Sequence, residues 1–211
     1  MSKKAKIAGL AALFLLTAVL MMVYQRRVKE QRIQKSIAKE VLRLHVVANS
    51  DSKSDQELKL KVKETIVTYL RGVMTDATTV EEAREEVKKR LPEIEEIAQE
   101  KMQTEGYNYE AQATLAECYF PVKEYGDLTF PAGDYKALKV NIGESTGKNW
   151  WCVMYPTLCF VDSTYQTVPD ESKEKLKDHL TEEEYNSLLD GKDNVQYSSG
   201  IIEWIRNAFF S

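Results

Sequence analysis

The first strong pattern along the chain is an uncharged run, Ile7 to Val23, preceded by Lys3, Lys4 and Lys6. Its 17 residues would rise roughly 25 Å as a helix, the lower limit for crossing a bilayer. The run is apolar all round, unlike an ordinary surface helix with one apolar stripe. It predicts a signal or membrane-anchor segment over residues 1–24. No convincing small-residue cleavage site follows, which points to an anchor over a cleaved leader. Residues 25–40 are mostly charged and polar and read as a stalk. Residues 41–211 then carry the patterns of a single folded domain, long enough to bury a substantial core.

Within that body, Leu42, Leu44 and Val46 alternate with Arg43, His45 and Val47, which predicts a half-buried strand. Asn49-Ser50-Asp51-Ser52 breaks it. Ser54 and Glu57 stand at capping-box spacing, and Leu58, Val62, Ile66, Tyr69, Leu70 and Val73 mark the buried face of a first long helix. Thr79 with Glu82 opens a second helical stretch, which Pro92 should kink or divide and Gly106 should end. From Tyr109 the period changes to two. Residues 109–120 read as a strand, and Leu128–Phe130 with Tyr135–Ile142 read as a hairpin around Pro131-Ala132-Gly133. Trp150–Tyr155 reads as a further, buried strand. Short helices are expected near 170–178 and 181–189, and Ile201–Phe210 has the pattern of an amphipathic helix. The fold class is α+β: an antiparallel-rich sheet packed by two long amphipathic helices behind an N-terminal hydrophobic helix.

Charge divides the chain the same way. Residues 1–35 hold eight Lys/Arg and one acid, a charge of +7, whereas the rest carries −11 of the total −4. An acidic body is a poor partner for nucleic acid or anionic lipid. Five basic residues follow the apolar run (Arg26, Arg27, Lys29, Arg32 and Lys35) against three lysines before it, so charge counting alone slightly favours a cytoplasmic body.

Catalytic chemistry is sparse. His45 and His179 are the two histidines, and neither a nucleophile elbow nor a zinc-protease His pair is present. A Cys152–His45 nucleophile pair requires the fold to bring two distant strands together. Gly143 to Asn149 superficially resembles a phosphate loop, but it has three residues between its glycines and Asn after Lys, so a connecting loop is the better reading. The carboxylate pairs Glu81/Glu82 and Glu85/Glu86 and the group Glu182–Glu184 lie on strongly charged helices, where no burial raises a pKa for acid–base work. The spacing of Cys118, Cys152 and Cys159 does not suit zinc. Outside the cytoplasm a Cys152–Cys159 disulfide would close a short loop across Pro156; otherwise the thiols act as small buried hydrophobes. No metal or cofactor is expected.

Several stretches in order, Val41-Leu-Arg-Leu-His-Val-Val-Ala-Asn-Ser-Asp51, Asp55 to Val62, Tyr119-Phe-Pro121, Tyr125 to Gly133, Tyr135 to Leu138, Gly147-Lys-Asn-Trp-Trp-Cys-Val153 and Cys159 to Asp162, together resemble the stage II sporulation protein R family. The resemblance implies a non-enzymatic signalling protein of endospore formation, made in the forespore and exported into the space between forespore and mother cell. It implies that the partner is a membrane-embedded aspartyl protease of the mother cell, which processes the sigma-E precursor. It also places the body on the outer side of the membrane, against the charge count. Within that reading, Asn49, Ser50 and Asp51 are candidate partner-binding residues, because they sit on a strand-to-helix loop. Asp51 and Ser52 could equally cap the following helix. Trp150 and Trp151 point to opposite strand faces, so one should be core while the other is free to anchor a partner. The competing class is a membrane-anchored enzyme acting at the cell wall through Cys152 or acidic residues.

Overall fold

The computed structural model describes residues 3–156, 158–159 and 167–189. The amphipathic pattern at Ile201–Phe210 and the Phe160–Asp162 part of the resemblance lie outside these residues. Helix α1 (Lys3–Glu40) runs unbroken for 38 residues. Its apolar half is exposed, with Phe14 at 73%, so nothing in the described body covers the run. The polar segment 25–40 continues the same helix. Its last two turns enter the core, where Gln34, Ile37 and Val41 are buried and Ile33 packs against them. The guanidinium of Arg84 donates to the carbonyls of Lys39 and Val41, satisfying acceptors freed where the helix ends.

The main sheet has the order β2 (Ala111–Phe120), β5 (Gly133–Ile142), β1 (Leu42–Val47), β6 (Asn149–Tyr155). β1 runs parallel to β5 and antiparallel to β6, and β2 is antiparallel to β5, so the sheet is mixed. One face, built from Leu44, Val46, Leu138 and Val140, meets α2 (Lys53–Val73), α3 (Val80–Lys89) and α4 (Leu91–Thr104) through Leu58, Val62, Ile66, Val87, Ile94 and Ala98. The second helical stretch divides at Arg90, with Pro92 in the first turn of α4 where a missing N–H costs nothing. α5 (Asp170–His179) and α6 (182–189) follow, α6 opening on a reciprocal box in which Glu184 N donates to Thr181 Oγ1 and Thr181 N donates to Glu184 Oε2.

Three expectations are corrected. Leu128–Phe130 (β4) does not pair with Tyr135–Ile142; it pairs with Lys123–Tyr125 (β3) in a separate two-stranded sheet. Gly126, at φ +57, supplies the positive φ that a two-residue Gly-Asp turn needs, while β5 is taken up by β2 along ten residue pairs. The first long helix starts two residues earlier than its expected box, with Ser52 as N-cap accepting from Asp55 N at 3.1 Å. β1 is buried on both faces: Arg43 is 0% exposed, because the β3–β4 hairpin and neighbouring rings cover that side.

Candidate functional site

At the end of the sheet reached by β1 and β5 as they run in parallel, two loops are fastened to each other. They are 48–52, between β1 and α2, and 143–148, between β5 and β6. Asn49 Oδ1 accepts from Glu144 N at 2.9 Å, and Asn49 Nδ2 donates to Asp55 Oδ2 at 2.9 Å. Ser50 Oγ donates to the same carboxylate oxygen at 2.6 Å, and Asp51 Oδ1 accepts from Lys148 N at 2.7 Å. Thr146 donates twice to Asn49 O, and Gly147 N donates to Ala48 O. The glycines make the approach possible. A methyl group on Gly143 would collide with Asn49 Oδ1, and one on Gly147 with the Ser50 carbonyl.

Two buried charges hold this junction from below. Asp55 is 4% exposed; burial pushes its carboxyl up, but hydrogen bonds from Ser50, Asn49, Tyr109 and Ser52 outweigh it and hold the pKa below the ordinary value. Lys59, also 4% exposed, donates to Gln56 Oε1 at 2.7 Å and to Lys148 O at 3.0 Å, and burial lowers its pKa. The three polar residues singled out from sequence are therefore together as fasteners, Asn49 and Ser50 half-buried and Asp51 exposed. The outward surface is provided by Asp51, Lys53, Glu144, Thr146 and Lys148. Pattern reasoning missed Asp55 and Lys59 because it assigned only apolar residues to the buried face, although both fall within the same arc of the helix as Leu58 and Val62. Asp55, three residues after Ser52, was the available signal.

β6 borders this junction and is the outermost strand on its side of the sheet. Trp150 and Trp151 take opposite faces, and both are half-buried and packed against the core. An edge strand has neighbours on one side only. Lys63 Nζ lies 4.9 Å from the Trp150 ring centroid, and Lys123 Nζ lies 4.3 Å from that of Trp151, which also stacks on His45. Cys152 is joined to Cys159 with a Cα–Cα separation of 5.1 Å, and Cys118 is free and half-buried. His45 pairs with Trp151 across the strands while Cys152 pairs with Leu44, so His45 and Cys152 face opposite sides. The conceivable nucleophile pair is not assembled.

Arg43 carries a charge buried in the second face. Its guanidinium lies 4.0 Å from the Phe120 centroid, 4.7 Å from Tyr135 and 5.5 Å from Phe130, and Nη2 donates to Tyr125 Oη at 2.9 Å. Ring faces take the place of a carboxylate. Burial, more than the opposing Arg43 charge, pushes Tyr135 to about 12, so its hydroxyl stays neutral. Among the described residues no cluster of three or more His, Cys, Asp or Glu side chains could hold a metal.

Comparison with known proteins bears on what this scaffold serves. The profile of the stage II sporulation protein R family matches residues 38–165. A stage II sporulation protein R from Bacillus subtilis (strain 168) is 32% identical over 200 residues, covering 86% of this chain and 89% of that relative. No solved structure matches significantly. The matched span contains β1 to β6, both interlocked loops and the Cys152–Cys159 pair. The chain belongs to the stage II sporulation protein R family, and its role is in sporulation.

Proposed function

We propose that this protein is a non-enzymatic signal displayed outside the cytoplasm, in the space between forespore and mother cell. Residues 7–23 hold it in its own membrane. Its body, residues 41–211, activates a membrane-embedded aspartyl protease of the mother cell that processes the sigma-E precursor. The observation that carries this reading is the fixed relation between anchor and loop junction. α1 leaves the apolar run without a break, and Gln34 Nε2 donates to Asp134 O at the start of β5. The Asn49–Asp51 and Gly143–Lys148 loops lie at the opposite end of β1 and β5, about 20 Å away along β1. A rigid, polar, interlocked surface held away from the anchor suits recognition by a protein in a facing membrane better than it suits covalent chemistry. The sulfur of Cys152 is committed to Cys159, which removes the thiol, one of the two kinds of group the competing wall-enzyme reading invoked beside acidic residues.

In this reading Asn49, Ser50 and Asp51 shape the contact surface, and Trp150 and Trp151 flank it on β6. Coexpression of this chain with the protease and the precursor, scored for precursor cleavage, tests it. Cleavage that requires this chain and that survives in the Cys152→Ala, Cys159→Ala variant is expected. Equal cleavage without the chain overturns the proposal. A reporter active only after export, joined behind Ser211, tests location, and activity of a cytoplasm-only reporter overturns it.

A further inference from the structure

The basic residues that follow the apolar run contradict simple charge counting if the body is exported, and their placement suggests another use. Arg26, Arg27, Lys29, Arg32 and Lys35 all lie on α1, and all five are exposed. With 1.5 Å of rise per residue they fall between about 5 and 18 Å beyond Val23. At 100° per residue, counted from Arg26, they stand at about 0°, 100°, 300°, 240° and 180° around the helix axis. They form a ring. A stripe of cations would suit one partner helix or groove, whereas a ring suits a plane that the helix crosses.

Among the described residues, exposed carboxylates offset this ring only in part. Glu30 lies 3.6 Å from Arg26, and Glu183 of α6 lies 3.0 Å from Lys29 and 3.3 Å from Arg32. All of these side chains are at least half exposed, so the pairs screen weakly. Gln34, between Arg32 and Lys35, and Ile37 and Val41 just beyond them lock the same stretch of chain into the body. The ring is therefore held at a fixed height between the apolar run and an acidic domain.

We propose that this ring is a binding collar for anionic phospholipid headgroups of the leaflet that faces the body. The collar rests on the reading of residues 7–23 as a membrane anchor. Cations within a Debye length of an anionic surface attract it, and each contributes about fivefold in relative affinity. The phosphodiesters neutralise the collar, the helix is gripped where it leaves the bilayer, and the −11 body is held upright above lipid of the same sign.

The test uses the full chain in bilayer discs of equimolar phosphatidylglycerol and phosphatidylcholine. Mild detergent then dissolves the discs, and mass spectrometry gives the ratio of the lipids that stay bound. The native chain should retain phosphatidylglycerol several-fold over its share, and raised salt should erase the excess. Arg26→Gln, Arg27→Gln, Lys35→Gln together should bring the ratio close to that of the disc at an unchanged melting temperature. Lys3→Gln, Lys4→Gln, Lys6→Gln together, on the other flank, should leave most of the excess. An undiminished excess in the first triple variant, or none in the native chain, overturns the collar. Failure of the chain to enter discs at all overturns the anchor reading, and the collar with it.

Discussion

Replacing Asn49 by Ala removes one side chain that serves two elements at once. Two hydrogen bonds disappear: the neutral one from Glu144 N and the charge-assisted one to Asp55, both 2.9 Å long. A neutral bond contributes about 1 kcal/mol net, and one to a charged group about 1.5 kcal/mol or more. Glu144 is exposed, so its freed N–H is taken up by water and adds no burial penalty. The expected loss is about 2.5 kcal/mol, which for a chain of this size lowers the melting temperature by about 5–10 °C. Circular dichroism during heating and in urea measures it directly. Lys148→Ala is the matching control, because only the backbone N–H of Lys148 reaches Asp51 and its side chain is exposed. Stability should stay within about 0.5 kcal/mol of native, while precursor cleavage falls if this end of the sheet meets the protease. An Asn49→Ala protein that melts at the native temperature would refute the fastening role, and lost cleavage at that temperature would return Asn49 to direct contact.

Other outcomes follow from the same geometry. Gly143→Ala should destabilise at least as much as Asn49→Ala, since φ is +53 and the added methyl displaces Asn49; a native melting temperature would contradict it. Asp55 has a folded pKa below its unfolded one, so its contribution is present above an unfolded value of about 3.9 and is lost as pH falls through the folded value. Asp55→Asn should therefore be less stable at neutral pH and flatter in acid, checked by melting curves across that range. Mass spectrometry of alkylated, unreduced protein should find one labelled thiol, Cys118, and the Cys152→Ala, Cys159→Ala protein should lose about 2–3 kcal/mol for a short closed loop.

What could be read from the pattern of residues was local. The place of β1, the buried face of α2 and the Thr79 cap of α3 follow from spacing that one element sets by itself. The misreadings concern which element lies beside which. Pro131-Ala-Gly133 looks like a hairpin turn from within, and nothing local reveals that β5 is claimed by β2 and β1 instead. Arg43 reads as solvent-facing because alternation assumes one wet face, yet hairpin β3–β4 dries it. The Asn49-Ser50-Asp51 cluster was visible as more polar groups than a helix cap requires. Its partners, Glu144 and Lys148, lie almost a hundred residues away and carry no matching signal, since their backbone atoms make the bonds.

The parallel pairing of β1 with β5 also sets a timetable. Arg43 lies beside Ala137, so the first strand waits for chain synthesised long after it, and β6, its other neighbour, comes later still. At about 5–20 residues per second, the ninety-odd residues between them delay closure by about 5–20 seconds. Until then α2 to α4 can form, but the strand that centres the core has nothing to pair with, and the entropy of closing so long a loop delays it further. Under the proposed reading of residues 7–23 as an anchor, a body built this way is still open when its leading end enters the membrane. Such a chain is suited to being threaded across before it folds, and the last strands to arrive close it on the far side.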